Sequence, residues 1–63
     1  ITLETTNANL KTITITDGIG SVIMEFETNE LLININIENL PSGIYYINCD
    51  VENNFSSNKF IKL

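Results

Sequence analysis

The feature that most constrains the fold of this chain is an alternation of apolar and polar residues with a period of two. It is clearest in Thr12–Thr16 and in Leu31–Ile37, where Ile33, Ile35 and Ile37 alternate with asparagines. Successive side chains of a β-strand point to opposite faces, so the pattern predicts strands with one buried face. A helix would spread the same isoleucines around its circumference. We therefore expect an all-β chain with almost no helix.

The alternation recurs along the chain and predicts about six strands: Ile1–Thr5, Thr12–Thr16, Ser21–Glu27, Leu31–Ile37, Ile44–Val51 and Phe55–Leu63. Short segments rich in Asn, Gly, Asp or Pro separate them, which is typical of an antiparallel sandwich or a partly open barrel. We predict a small antiparallel, immunoglobulin-like β-sandwich. Ile1 and Leu3 share one face, and the predicted inward residues are Ile13, Ile15, Val22, Met24, Phe26, Ile33, Ile35, Ile37, Tyr45, Ile47, Cys49 and Val51.

Length and charge limit the possible functions. Sixty-three residues make at most one domain, 1–63, with a marginal core, and a chain that starts at Ile1 is expected to be part of a longer protein. A net charge of −5 with only three lysines argues against binding to nucleic acid or anionic lipid. No apolar run approaches the roughly 18 residues of a membrane span, so direct membrane insertion is not expected.

The residues offer little for catalysis or for a metal. Histidine is absent and Cys49 is the single cysteine, so we expect no enzyme activity, no metal and no cofactor. Cys49 is interpreted as a small buried apolar residue. Glu25 and Glu27 could hold a calcium ion or form an acid/base pair, but they alternate with apolar residues as on a solvated strand face. Asn34, Asn36 and Asn48 could line a sugar-binding face, with Tyr46 as the one aromatic on an outer face.

Two segments are interpreted as turns. Asp17, Gly18 and Gly20 lack the ligand spacing of a calcium or phosphate loop and predict a tight hairpin, with glycines supplying positive φ. Glu52–Asn54 predicts another hairpin, with asparagine in the left-handed region. In Glu38–Gly43, Pro41 removes a main-chain donor, so the preceding strand must stop by Leu40, whose side chain can close the end of the core.

The last strand is unusual. Lys59 and Lys62 are two of three cations in an acidic chain; Phe60 and Ile61 lie between them and Leu63 follows. Lysine on an edge strand can simply block unwanted pairing. However, Phe60 and Ile61 cannot both face one core in a strand, so at least one of them is expected to be exposed or to meet a partner.

Three segments taken in order resemble the type A C-terminal sorting domain of the type IX secretion system of Bacteroidetes. They are the hairpin Asp17–Gly20, the corner Leu40-Pro41-Ser42-Gly43-Ile44-Tyr45 and the terminal Lys59–Leu63. The family pattern has an Asp-x-x-Gly hairpin, a Leu-Pro-x-Gly-x-Tyr corner and a final Lys-Phe-x-Lys strand. The resemblance spans Thr12–Leu63. The Tyr-Pro-Asn-Pro-like beginning of the family is absent, so the chain is expected to lack its first strand or linker.

The resemblance implies a secretion signal. A cargo protein would enter the periplasm by its own signal peptide, and this domain would direct it through the outer-membrane translocon, with an associated shuttle barrel protein. A surface sortase would then cut upstream of residues 1–63 and leave the cargo at the cell surface or secreted. Because Lys59 and Lys62 are interleaved with apolar residues in an otherwise acidic chain, we expect Lys59, Phe60, Ile61, Lys62 and Leu63 to dock in the lumen or mouth of a translocon-associated outer-membrane barrel. Leu40, Pro41, Gly43 and Tyr45 are expected to serve mainly the fold, as the corner that sets the register of the long strand. The alternative is an immunoglobulin-like or carbohydrate-binding accessory module of a surface enzyme or adhesin.

Overall fold

The computed structural model describes the whole chain, Ile1–Leu63, as six β-strands without a helix. The strands are β1 (Thr2–Glu4), β2 (Lys11–Asp17), β3 (Val22–Thr28), β4 (Leu32–Asn34), β5 (Gly43–Val51) and β6 (Asn54–Lys62). The prediction of an all-β chain is confirmed. The fold accordingly has no helix with the length and apolarity of a membrane-crossing segment.

The strands form two antiparallel sheets. β1 and β4 make a two-stranded sheet, and the other four strands make a sheet in the order β3-β2-β5-β6. The small sheet covers the inner face of the large one, since Ile33 and Ile35 pack with Ile13 and Ile15 in a single core. The predicted small β-sandwich is therefore confirmed, and β3 and β6 are the edge strands of its larger sheet.

The core follows the alternation of the sequence closely. Its six buried apolar residues were all predicted to face inward: Ile13, Ile15, Ile33, Ile35, Tyr45 and Ile47. Ile37, Leu40 and Cys49 are half-buried against this cluster. Parity along each strand was sufficient to identify these positions, because neighbouring side chains on a pleated strand must leave on opposite faces.

Val22 is an exception, since it was predicted to face inward and is 61% exposed. The cause is a β-bulge between β2 and β3. Ile15 pairs with Met24 but the next residue, Thr16, pairs with Val22, so Ile23 is an extra residue in β3. An extra residue reverses the parity of the strand beyond it, which places Val22 on the outer face opposite Thr16.

Two further expectations need correction. The strand predicted over Leu31–Ile37 is only Leu32–Asn34, because its sole neighbour, β1, has three residues and a strand needs a partner for its length. In the turn between β5 and β6, the residue with positive φ is Glu52, at 48°, and not an asparagine. Similarly, only Gly20 of the first hairpin has positive φ, at 91°.

Two lysines attach the segment around β4 to the large sheet. Lys11, at the start of β2, is 1% exposed and its Nζ donates to the main-chain oxygen of Glu30 at 3.0 Å. Lys62, at the end of β6, donates to the main-chain oxygens of Glu38 and Leu40 at 3.3 and 2.9 Å. These contacts flank β4 on both sides and supplement the apolar packing between the two sheets.

Candidate functional site at one end of the large sheet

The three segments that carry the family resemblance meet at one end of the four-stranded sheet. Asp17 pairs with Tyr45 between β2 and β5, and Tyr45 pairs with Phe60 between β5 and β6. Gly43 pairs with Lys62 at the end of the same ladder. Segments separated by about twenty residues in the chain thus form one contiguous region, and a shallow pocket of about 500 Å³ lies between the hairpin and the corner.

The hairpin is organised by the side chain of Asp17. Its carboxylate Oδ1 accepts hydrogen bonds from the main-chain N–H groups of Ile19 and Ser21 at 3.1 and 2.9 Å. The main-chain oxygen of Asp17 also accepts from Gly20 at 3.1 Å. An aspartate that binds its own turn in this way replaces main-chain partners that the turn lacks. The carboxylate is thus engaged within the turn.

The corner is closed by a tyrosine. The hydroxyl of Tyr45 donates to the main-chain oxygen of Pro41 at 2.5 Å, and the Tyr45 side chain is 5% exposed. A tyrosine bonded to the main chain a few residues upstream also fixes corners in other β-sandwiches. Gly43, between the two, has a φ of 155°, which residues with a side chain rarely adopt. The Leu-Pro-x-Gly-x-Tyr sequence therefore encodes a specific bend of the main chain.

The terminal strand divides into two sets of side chains. Phe60 and Lys62 lie on the inner face, where the ring of Phe60 stacks on Tyr45 and Lys62 binds the corner through the oxygen of Leu40. Lys59, Ile61 and Leu63 belong to the opposite set; Ile61 is 61% exposed and Leu63 is fully exposed. Phe60 therefore faces the core and Ile61 does not. The structure does not give the five residues one common role, because two of them are engaged within the fold.

The outward residues of β6 continue a surface on the neighbouring strands. Ile61 pairs with Ile44, which is 46% exposed, and Lys59 pairs with Tyr46. The outward side chains at this end are therefore mostly apolar, with one cation. Ile44 was not singled out from the sequence, although its parity opposite Tyr45 indicated an outward position.

The other candidates from the sequence do not form a site. Asn34 lies on the outer side of β4, whereas Asn48 lies on the outer face of the large sheet, so the amides are on opposite surfaces of the sandwich. The proposed sugar-binding face is therefore wrong. Glu25 lies across from Thr14, whose hydroxyl donates to it at 3.4 Å, and it belongs to no cluster of three or more metal-ligating side chains.

The burial of Lys11 was not predicted from the sequence. The alternation on β2 nevertheless indicated it, because Lys11 lies two residues before the buried Ile13 and four before Ile15, on the same face of the strand. A lysine is rarely buried unless its ammonium group is bonded, and here the acceptor is the carbonyl of Glu30, nineteen residues away. That acceptor could not be identified before the two sheets were placed together.

Comparison with known proteins identifies the family. A family model described as the secretion system C-terminal sorting domain matches residues 1–63. The match thus also includes residues 1–11, which precede the recognised motifs. No curated protein matches the chain. Sorting-signal families are not families of enzymes. The chain belongs to the C-terminal sorting domains of the type IX secretion system, which mark proteins for export to the cell surface or for secretion.

Proposed function

We propose that the outer-membrane translocon of the type IX system binds this domain through the outward-facing side chains at the end of the chain, Lys59, Ile61 and Leu63. The cargo reaches the periplasm by its own signal peptide and then passes the translocon with the help of a shuttle barrel protein. A surface sortase removes the domain afterwards. The family membership supports export, and the structure of β6 supports this choice of contact residues.

The observation that carries the proposal is that some side chains of β6 are bound within the fold and others are not. On the inner face, Phe60 stacks on Tyr45, and Lys62 donates to the main-chain oxygens of Glu38 and Leu40. The ammonium group of Lys59 makes no hydrogen bond or ion pair within the chain, whereas those of the other two lysines bind main-chain oxygens. Side chains that the fold does not use, at an end where all three motifs meet, remain available to a partner.

The position of β6 in the sheet adds a second means of contact. β6 is nine residues long and pairs only with β5, so its other edge presents unpaired main-chain groups. An edge strand of this kind can be extended by a strand of a partner, with main-chain hydrogen bonds supplying affinity and side chains supplying specificity.

The proposal is tested with a reporter protein fused to this domain in a strain with an active type IX system. We expect Lys59→Glu and Ile61→Asp to reduce export by about tenfold or more, corresponding to about 1.4 kcal/mol of lost binding. Their unfolding temperatures should match that of the parent because both residues face solvent. The matched control is Phe55→Asp, which alters an exposed apolar residue at the other end of the same strand.

The outcomes separate recognition from folding. Normal export of both Lys59→Glu and Ile61→Asp would overturn the proposal. Equal loss of export by Phe55→Asp would also overturn it, since that result would indicate a general intolerance of charge on β6. Phe60→Ala should lose export only together with thermal stability, because Phe60 stacks on Tyr45 within the fold.

Removal by a sortase is tested on the exported cargo itself. Mass spectrometry of cargo recovered from the cell surface or medium should find no peptides from residues 1–63, while cargo retained inside the cell should still contain them. Exported cargo that keeps these peptides would contradict removal of the domain.

A further inference from the structure

We infer that the docking surface extends from β6 across the outer face of the large sheet to Val22 on the opposite edge strand, β3. Its occupant is an apolar protein surface of the secretion machinery that presents a carboxylate to Lys59. The inference rests on the proposed function, and it adds a contact region about forty residues away in the chain from the terminal strand.

The pairing register places the members of this surface side by side. Val22 pairs with Thr16, Thr16 with Tyr46, and Tyr46 with Lys59, which is one continuous row across all four strands. Ile44 and Ile61 form the next row toward the corner. We call Val22, Ile44, Tyr46 and Ile61 the outer patch. Neighbouring strands lie about 5 Å apart, so a row of four spans about 15 Å, within reach of one partner surface.

The bulge in β3 contributes to the patch. In a regular ladder one of two consecutive aliphatic residues would face the core. Here Val22 and Ile23 are 61% and 43% exposed, because Ile23 is the extra residue. Bulges re-aim side chains at sheet edges, and the exposed part of an aliphatic side chain contributes no burial to the stability of an isolated domain. Their exposure is explained if a partner covers them.

The charges on the outer face indicate the chemistry of that partner. Glu27 and Asp50 both pair with Thr12, at the end of the sheet away from the outer patch, and Glu25 lies in the row between. Lys59 is in the row of Val22, and its ammonium group makes no hydrogen bond or ion pair within the chain. An apolar surface with one free cation is complemented by an apolar surface with a carboxylate.

A lipid surface fits these charges less well. An anionic membrane attracts clusters of basic residues, each of which adds about 1 kcal/mol. This chain carries a net charge of −5, and two of its three lysines are already bound to main-chain oxygens. The observations therefore favour a protein partner.

The first experiment uses the complete cargo with this domain in a type IX strain, carrying a photo-cross-linking residue at position 22 or at position 55. We expect adducts with an outer-membrane component of the secretion machinery from position 22 and none from position 55. Phe55 is a suitable control because it is 68% exposed on the same face but lies opposite Asp50. Adducts from position 22 with lipid alone, or binding of the purified cargo to phosphatidylglycerol vesicles through this face, would overturn the inference.

The second experiment measures export of Val22→Asp and of the isosteric Val22→Thr beside Phe55→Asp. We expect losses of about tenfold for Val22→Asp and about threefold for Val22→Thr, which correspond to about 1.4 and 0.7 kcal/mol, with no loss for Phe55→Asp. Normal export of both Val22 variants, while Ile61→Asp fails, would overturn the extended surface and leave the proposed function standing. Normal export of Ile61→Asp and Lys59→Glu as well would overturn both.

Discussion

The ring of Phe60 stacks on the ring of Tyr45, with the centroids 5.5 Å apart and the planes inclined by 22°. The hydroxyl of the same tyrosine donates to the main-chain oxygen of Pro41. One side chain therefore connects the corner to the terminal strand. Residues that resemble a recognition motif in the sequence are, on this face, a part of the fold.

Replacing Phe60 should separate the two faces of β6. We expect Phe60→Ala to lower the free energy of unfolding by about 2 kcal/mol, below the range for a fully buried phenylalanine, because the ring is half-buried against the core. Ile61→Ala, one residue later on the exposed face, should change it by less than about 0.5 kcal/mol. Urea unfolding of both variants provides the measurement, and similar losses would contradict the assignment of the two faces.

The tyrosine hydroxyl can be removed without changing the packing. Tyr45→Phe should lower the free energy of unfolding by about 1 kcal/mol, since it deletes one hydrogen bond to Pro41 and leaves the stacked ring in place. Tyr46→Phe is the control, because that hydroxyl makes no hydrogen bond within the chain. Thermal denaturation of the two variants should show a lower midpoint for Tyr45→Phe alone.

Gly43 is required by the conformation of the main chain. At a φ of 155° a side chain is strained, although a Cβ there would meet only Tyr45 at an ordinary distance of 4.0 Å. We expect Gly43→Val to cost about 1–3 kcal/mol and to reduce export together with stability. Ser42→Val, at an exposed neighbour, is the control. Loss of export by Gly43→Val at unchanged thermal stability would contradict a structural role for this glycine.

The two glycines of the first hairpin should respond differently. Gly20 has a φ of 91°, so Gly20→Ala should destabilise the domain by about 1 kcal/mol. Gly18 has no such φ, and a Cβ there would lie 3.7 Å from the oxygen of Ile44, an ordinary contact. Gly18→Ala should therefore be neutral within about 0.5 kcal/mol. Chemical denaturation of the pair tests this, and equal losses would be inconsistent with the turn geometry.

The buried lysine should matter for stability and the exposed one should not. Lys11→Ala removes a buried alkyl chain and the hydrogen bond to Glu30, so we expect a loss of about 2 kcal/mol. Lys59→Ala is the same substitution at an exposed lysine whose ammonium group makes no hydrogen bond, so it should change the free energy of unfolding little. Comparable midpoints for the two variants in a thermal melt would show that Lys11 does not hold the sheets together.

Two properties of the candidate site could be predicted from the sequence: which residues belong to it, and which neighbouring residues of a strand point to opposite faces. The pairing of Phe60 with Tyr45 and of Lys62 with Gly43 depends on the order of strands in the sheet, which no local pattern contains. Which residues of Lys59–Leu63 are bound within the fold and which are exposed depends on the pairing of β6 with β5. Val22 was assigned to the wrong face because a single extra residue, Ile23, reverses parity, and period-two reasoning assumes that none is present.

The number and order of the strands and the buried isoleucines were predictable from local sequence, because alternation and turn residues act over a few neighbouring positions, and the family motifs were recognisable there as well. Which lysines are bound within the fold, in contrast, depends on the tertiary structure. Lys11 and Lys62 are held by carbonyls nineteen to twenty-four residues away, whereas Lys59 is held by none. Whether a charged side chain belongs to the fold or to a surface depends on acceptors brought close by folding, and their positions are set by how the two sheets pack.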